Sequence, residues 1–212
     1  TGSDTIDGGI ITDLINFSDS NFVAYAYPGA PNFGPVTVNL QTGIVSKATG
    51  GTDSLTNINM VVGSIWADVI TGSTLARYEQ LEGYLGDDTL DGGVVTDTIN
   101  QINSNRVSYL NSLGAQTVDL AAGTASGWAG NDTLYNFTGV LGSNHNDTLL
   151  GSDSGLTEEF EGGQGNDVVD GRGGLDIARY DTASAAVTVD LLAGTASGGA
   201  GNDTLRSEEH TS

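Results

Sequence analysis

The residues best placed to do chemistry in this chain are aspartates at regular intervals. A triplet Asp-x-U, with U a bulky apolar residue, recurs at Asp4, Asp13, Asp53, Asp68, Asp88, Asp97, Asp132, Asp147, Asp167, Asp176 and Asp203. Asp4 and Asp13 lie nine residues apart, as do Asp88 and Asp97, and Asp167 and Asp176. The clearest tandem is Gly162-Gly-Gln-Gly-Asn-Asp-Val-Val-Asp170 followed by Gly171-Arg-Gly-Gly-Leu-Asp-Ile-Ala-Arg179, and both halves approximate G-G-x-G-x-D-x-U-x. Carboxylates set among glycine-rich backbone offer oxygen donors and little else. There is no Cys, which excludes disulfides, thiolate nucleophiles and thiolate metal sites. No HExxH or nucleophile-elbow motif occurs. Paired carboxylates such as Asp87 and Asp88 could do acid–base work, but their repetition argues for ligation instead.

Composition narrows the partners to cations. The 212 residues carry 27 Asp plus Glu against 6 Lys plus Arg, a net charge of −21. Such a field repels nucleic acid and anionic lipid. No apolar run approaches the ~18 residues of a membrane span. No N-terminal signal peptide is visible, in a chain that reads as a segment of something longer. Arg206–Ser212 can be encoded by AGA TCG GAA GAG CAC ACG TCT, which matches the start of a widely used sequencing adapter. Residues 206–212 therefore read as a non-native tail, which sets His210 aside and leaves His145 as the one native histidine.

The elements that position the aspartates are repeats. Gly63–Gly72 matches Gly142–Gly151 at an offset of 79, and 53–97 overlays 132–176 without a gap. Thr117–Gly127 echoes Thr188–Gly198, and Thr37–Gly43 is a more distant copy. The chain divides into modules at 1–73, 74–152 and 153–205. Val36–Leu40, Thr117–Leu120 and Val187–Leu192 alternate like strands and read as structural. The spans 14–36, 98–116 and 177–186 break the period, and the sequence assigns them no path.

These nonapeptides resemble the hemolysin-type calcium-binding repeats of RTX proteins. The resemblance implies an all-β fold, a right-handed parallel β-roll or β-helix solenoid with calcium-binding turns. It also implies bacterial export by type I secretion machinery and folding driven by Ca²⁺. In that frame each repeat is a six-residue turn and a three-residue strand whose U side chain points inward. Two nonapeptides make one coil, and stacked turns face each other across a gap. Ca²⁺ takes 6–8 oxygens at ~2.3–2.6 Å, a shell that Asp carboxylates and turn carbonyls can supply. The first-rank pairs are Asp68 with Asp88 and Asp147 with Asp167. Their turns lie 20 residues apart, one coil plus two residues placed in the opposite loops 73–82 and 152–161. Carbonyls of Gly83, Gly86, Gly162 and Gly165 complete these shells. Gly163, Gly171, Gly173 and Asp176 of the same tandem are further candidate metal-site residues. Trp66 and His145 replace the fourth-position glycine, which predicts distorted turns and weaker sites there. Asp7, Asp91 and Asp170, at position nine, read as solvated or supporting residues.

The leading functional expectation is a non-catalytic, calcium-binding segment of a larger secreted bacterial protein that folds on several Ca²⁺ ions after export. The alternatives are a calcium-stiffened adhesin or stalk that binds a glycan or cell-surface partner, and the repeat region of a secreted hydrolase or epimerase. Tyr25, Tyr27, Trp66, Trp128 and Phe137 are the candidates for a sugar-binding face, against the plainer reading of scattered core and coil-capping aromatics.

Overall fold

A computed structural model describes residues 2–10, 20–26, 34–75, 78–101 and 103–206. Asp13, Tyr27 and His210 lie outside these residues. All regular elements among the described residues are strands, most of three to five residues. Short strands follow from the repeat: glycine-rich turns interrupt the chain before a longer strand or a helix can form.

The chain forms two compact units, Thr1–Val107 with Gly130–Phe137, and Ser108–Ala129 with Thr138–Ser212. In the first, the strands Val69–Thr71, Thr89–Asp91 and Asn131–Tyr135 pair in parallel, aligning Ile70 with Leu90 and Leu90 with Leu134. Across the core a second parallel sheet contains Phe22–Ala24, Met60–Val62 and Glu79–Glu82, with Val61 aligned to Leu81. Ile70↔Leu90 and Val61↔Leu81 are each a register of 20 residues. These two coils therefore span 20 residues, the spacing of their turns, whereas Glu158↔Asp176 is a register of 18. In the second unit Val118, Leu149, Val169 and Leu205 stack in the same way, opposite Val140 and Phe160. The U side chains Ile70, Leu90 and Leu149 are fully buried. Each removes roughly 1.5–3 kcal/mol of apolar surface cost from the folded state. The parallel β-roll expected from the resemblance is thus the fold.

Among the described residues, three antiparallel hairpins interrupt the parallel coils. They are Val36–Asn39 with Ile44–Lys47, Gln116–Asp119 with Thr124–Gly127, and Val187–Asp190 with Thr195–Gly198. These are the three echoed segments, and they account for part of the irregular spacing. Their tight turns carry Gly43, Gly123 and Gly194 at positive φ. The triplet at Asp97 departs from expectation. Ile99 is 89% exposed, so it is not a core U residue. The Asp97 carboxylate accepts the amides of Ile99 and Asn100, and Gln101 N–H bonds the Asp97 carbonyl. That local turn replaces a strand, because a short Asp side chain competes with the ladder for backbone donors.

Candidate metal centre

The strand-initiating aspartates form a buried ladder along one edge of each unit. In the first unit Val36 N–H donates to Asp68 Oδ1 (2.7 Å), Asp68 N–H to Asp88 Oδ1 (2.8 Å) and Asp88 N–H to Asp132 Oδ1 (2.9 Å). In the second, Gln116 N–H donates to Asp147 Oδ1 (2.7 Å), Asp147 N–H to Asp167 Oδ1 (2.8 Å) and Asp167 N–H to Asp203 Oδ1 (3.0 Å). Every carboxylate of the ladder thus accepts the amide of the preceding rung. Asp68, Asp88, Asp132, Asp147, Asp167 and Asp203 are all buried.

The rungs are not equivalent. Asp68 also takes the Ser64 amide and the Ser64 hydroxyl, and Asp147 takes those of Ser143. Protein donors therefore reach both oxygens of these two carboxylates. The turns that end at Asp88 and Asp167 have Tyr84 and Gly163 in the serine position, both at positive φ. Asp167 Oδ2 is left buried with no hydrogen-bond partner. An unpaired buried carboxylate oxygen is costly unless a cation meets it.

Carbonyl oxygens lie beside these carboxylates. A Cβ at Gly63 would stand 2.5 Å from both Asp68 Oδ2 and the Gly83 carbonyl oxygen. Gly142 faces Asp147 Oδ2 and the Gly162 carbonyl in the same way. Gly86 and Gly165 lie against the carbonyls of Trp66 and His145, at φ of 124° and 141°. Trp66 and His145 adopt no such φ, so their turns do differ from those of Gly86 and Gly165.

Burial dominates the acidities. It raises Asp68 and Asp147 above the ordinary carboxylate range. It pushes Asp88 up to about 8, helped by the charges of Asp132 and Asp68. Asp167 rises to about 7 for the same reason, with Asp147 and Asp203 adding to it. Like charges taken out of water hold protons or metal in preference to standing bare.

These turns match a known repeat. The RTX calcium-binding nonapeptide repeat is found in four copies, over residues 80–99, 156–178 and 193–209. The chain carries RTX calcium-binding repeats. No curated protein was found similar to it. The matched stretches contain Asp88, Asp167, Asp176 and Asp203, while Asp68 and Asp147 fall outside them. Asp88 and Asp167, whose turns keep the fourth-position glycine, lack the serine amide and hydroxyl that Asp68 and Asp147 accept from their own turns. The donor set suits Ca²⁺, a hard cation that accepts carboxylate and carbonyl oxygen. Among the described residues no three His, Cys, Asp or Glu side chains converge, so main-chain carbonyls must supply much of any shell.

The opposite edge holds glutamates that the Asp-x-U pattern does not reveal. Glu79 and Glu158 are buried, and each accepts the amide and hydroxyl of a serine, Ser73 and Ser152 respectively. A Cβ at Gly72 would lie 2.7 Å from Glu79 Oε2 and 2.7 Å from the Gly92 carbonyl. This is the Gly63 arrangement with Glu in place of Asp. The lengthened loop leaves seven residues from Gly72 to Glu79 against five from Gly63 to Asp68. Their signal in the sequence is the 79-residue repeat of Glu at the start of the second-sheet strands. On the same edge Asp176 packs its carboxylate against Gly171, and Gly173 lies beside Asp153 Oδ1.

The position-nine residues are turn staples. Asp7 bonds Gly9 N–H and Asn57, Asp91 bonds Gly93 N–H and Asn136, and Asp170 accepts Arg172 N–H. Tyr25 and Phe137 are buried, whereas Trp66 and Trp128 are about half exposed.

Proposed function

We propose that this RTX segment is a calcium-folded, non-catalytic part of a larger secreted bacterial protein, unstructured before export and locked by Ca²⁺ afterwards. Type I secretion is the route the resemblance implies. The buried Oδ2 of Asp167 carries the reading: among the described residues no protein group donates to it, and a cation would satisfy its charge. The ligands we assign are the carboxylates of Asp68, Asp88, Asp147, Asp167 and Asp176. With them act main-chain oxygens of the turns holding Gly83, Gly86, Gly162, Gly163, Gly165, Gly171 and Gly173. The charge of −21 supports the reading as well, since several divalent ions would offset much of the self-repulsion on compaction. Metal bound only by the folded state adds its binding energy to folding.

Circular dichroism of residues 1–205 in EDTA, Mg²⁺ and Ca²⁺ tests this. Ca²⁺ should bring a cooperative gain of β signal with a midpoint near 10⁻⁴–10⁻³ M, the range of extracellular modules. Mg²⁺ should do much less, because it demands near-octahedral geometry and keeps its water. A full β spectrum in EDTA at neutral pH would remove metal-driven folding.

A further inference from the structure

The chain has a single lysine, and it is buried among oxygens. Lys47 Nζ bonds Asp53 Oδ1 at 2.5 Å and the Gly2 carbonyl at 2.7 Å, with Asp4 Oδ2 at 3.8 Å. Its side chain is 2% exposed. One carbonyl and two carboxylates around a cation is the donor chemistry proposed above for Ca²⁺.

The same three oxygen sources recur without the lysine. Asp4 N–H donates to Asp53 Oδ1 at 3.0 Å, just as Asp167 N–H does to Asp203 and Asp88 N–H to Asp132. The strands that follow align identically, Ile6 with Leu55, Val169 with Leu205 and Leu90 with Leu134. Gly2, Gly165 and Gly86 each stand two residues before the first aspartate of the pair. A tyrosine hydroxyl bonds the second aspartate in two of the copies, Tyr25 on Asp53 and Tyr180 on Asp203. In the hairpins Lys47 pairs with Val36, and the matching positions are Gly127 opposite Gln116 and Gly198 opposite Val187. The ammonium is present in one copy and replaced by glycine in the other two. In the third copy Asp167 Oδ2 is buried and unpartnered.

We infer that Lys47 is a tethered cation, holding in the first copy the position that Ca²⁺ takes in the other two. The ligands there are the Gly165 carbonyl with Asp167 and Asp203, and the Gly86 carbonyl with Asp88 and Asp132. This rests on the calcium reading above and adds Asp132 and Asp203 to its ligands. The consequence is an asymmetry between copies: the N-terminal coil closes on an internal charge, and the later ones wait for metal.

Calcium counting by equilibrium dialysis, with circular dichroism on the same samples, tests it. Asp132→Asn and Asp203→Asn keep an acceptor for the rung amide but remove the charge, and each should lose one Ca²⁺ per chain. Lys47→Gly, which restores the residue of the other copies, should gain one. A Lys47→Gly chain that folds in Ca²⁺ and binds no more than the parent overturns the inference. Should that variant not fold, unchanged counts in both asparagine variants overturn it, and the loss of one ion in each supports it. A parent chain that binds no Ca²⁺ at all would instead sink the calcium reading itself. A parent that binds Ca²⁺ while the variants leave the count unchanged sinks only the role of Lys47, Asp132 and Asp203.

Discussion

Two aspartates three residues apart do different work. Asp167 is buried, bonds one amide through Oδ1 and leaves Oδ2 open, whereas Asp170 accepts Arg172 N–H at 3.1 Å and staples the next turn. Asp167→Ala should therefore weaken Ca²⁺ binding strongly, and Asp170→Ala should barely change it. Titrating both variants with Ca²⁺ checks this, and equal small effects would mean the metal lies elsewhere. The position-six aspartates were legible from their place in the nonapeptide. The division between Asp68 or Asp147 and Asp88 or Asp167 was less so. It depends on whether a serine at the second turn position turns its amide and hydroxyl onto the carboxylate, and that is a matter of turn conformation.

At the scale of the element, the turn is constrained by what lies one coil away. Gly165 takes φ of 141°, and a Cβ there would meet the His145 carbonyl at 2.5 Å. Gly165→Ala should destabilise the calcium-loaded chain by about 1–3 kcal/mol, the usual cost of a non-glycine residue in such a backbone region. Denaturant melts in saturating Ca²⁺ measure it, and an unchanged midpoint would show that the turn can relax. The hairpins belong to this scale too. Alternation marked Val36–Leu40 and Thr117–Leu120 as strands, but it could not say that each folds back antiparallel. Ile99 shows the converse: an Asp-x-U triplet without its turn glycine became a local turn, because Asp97 bonds the amides that a strand would need.

The whole chain is a polyanion, and its metal-free stability should follow pH in the direction opposite to ordinary acid denaturation. Asp88 and Asp167 hold protons up to about 8 and 7 when folded, against ~3.9 for an unfolded aspartate. A folded state that binds more protons is favoured as pH falls. This contribution is complete below about 4 and is lost as pH rises through 7 to 8. In EDTA the chain should hold more β structure at pH 5 than at pH 8. Saturating Ca²⁺ should oppose that trend, since the metal binds the ionised carboxylates. Circular dichroism at both pH values, with and without Ca²⁺, checks the sign. A metal-free chain more stable at pH 8 would show that these carboxylates are not buried together.

Beyond the calcium that the RTX resemblance implies, what the sequence determined by itself is the repeat: the 20-residue spacing of the paired turns, most of the inward U residues and the oxygen-only donor set. These follow from local rules, since glycine permits the turns, alternation sets the faces, and the absence of cysteine limits the donors. What only the tertiary structure decided is which oxygens meet. Glu79 and Glu158 come to the opposite edge because a lengthened loop shifts the carboxylate two positions along the chain. Lys47 reaches Gly2 and Asp53 because a hairpin folds it back onto the first coil. Pattern reading finds what recurs along the chain, and a cation site is defined by what converges across it.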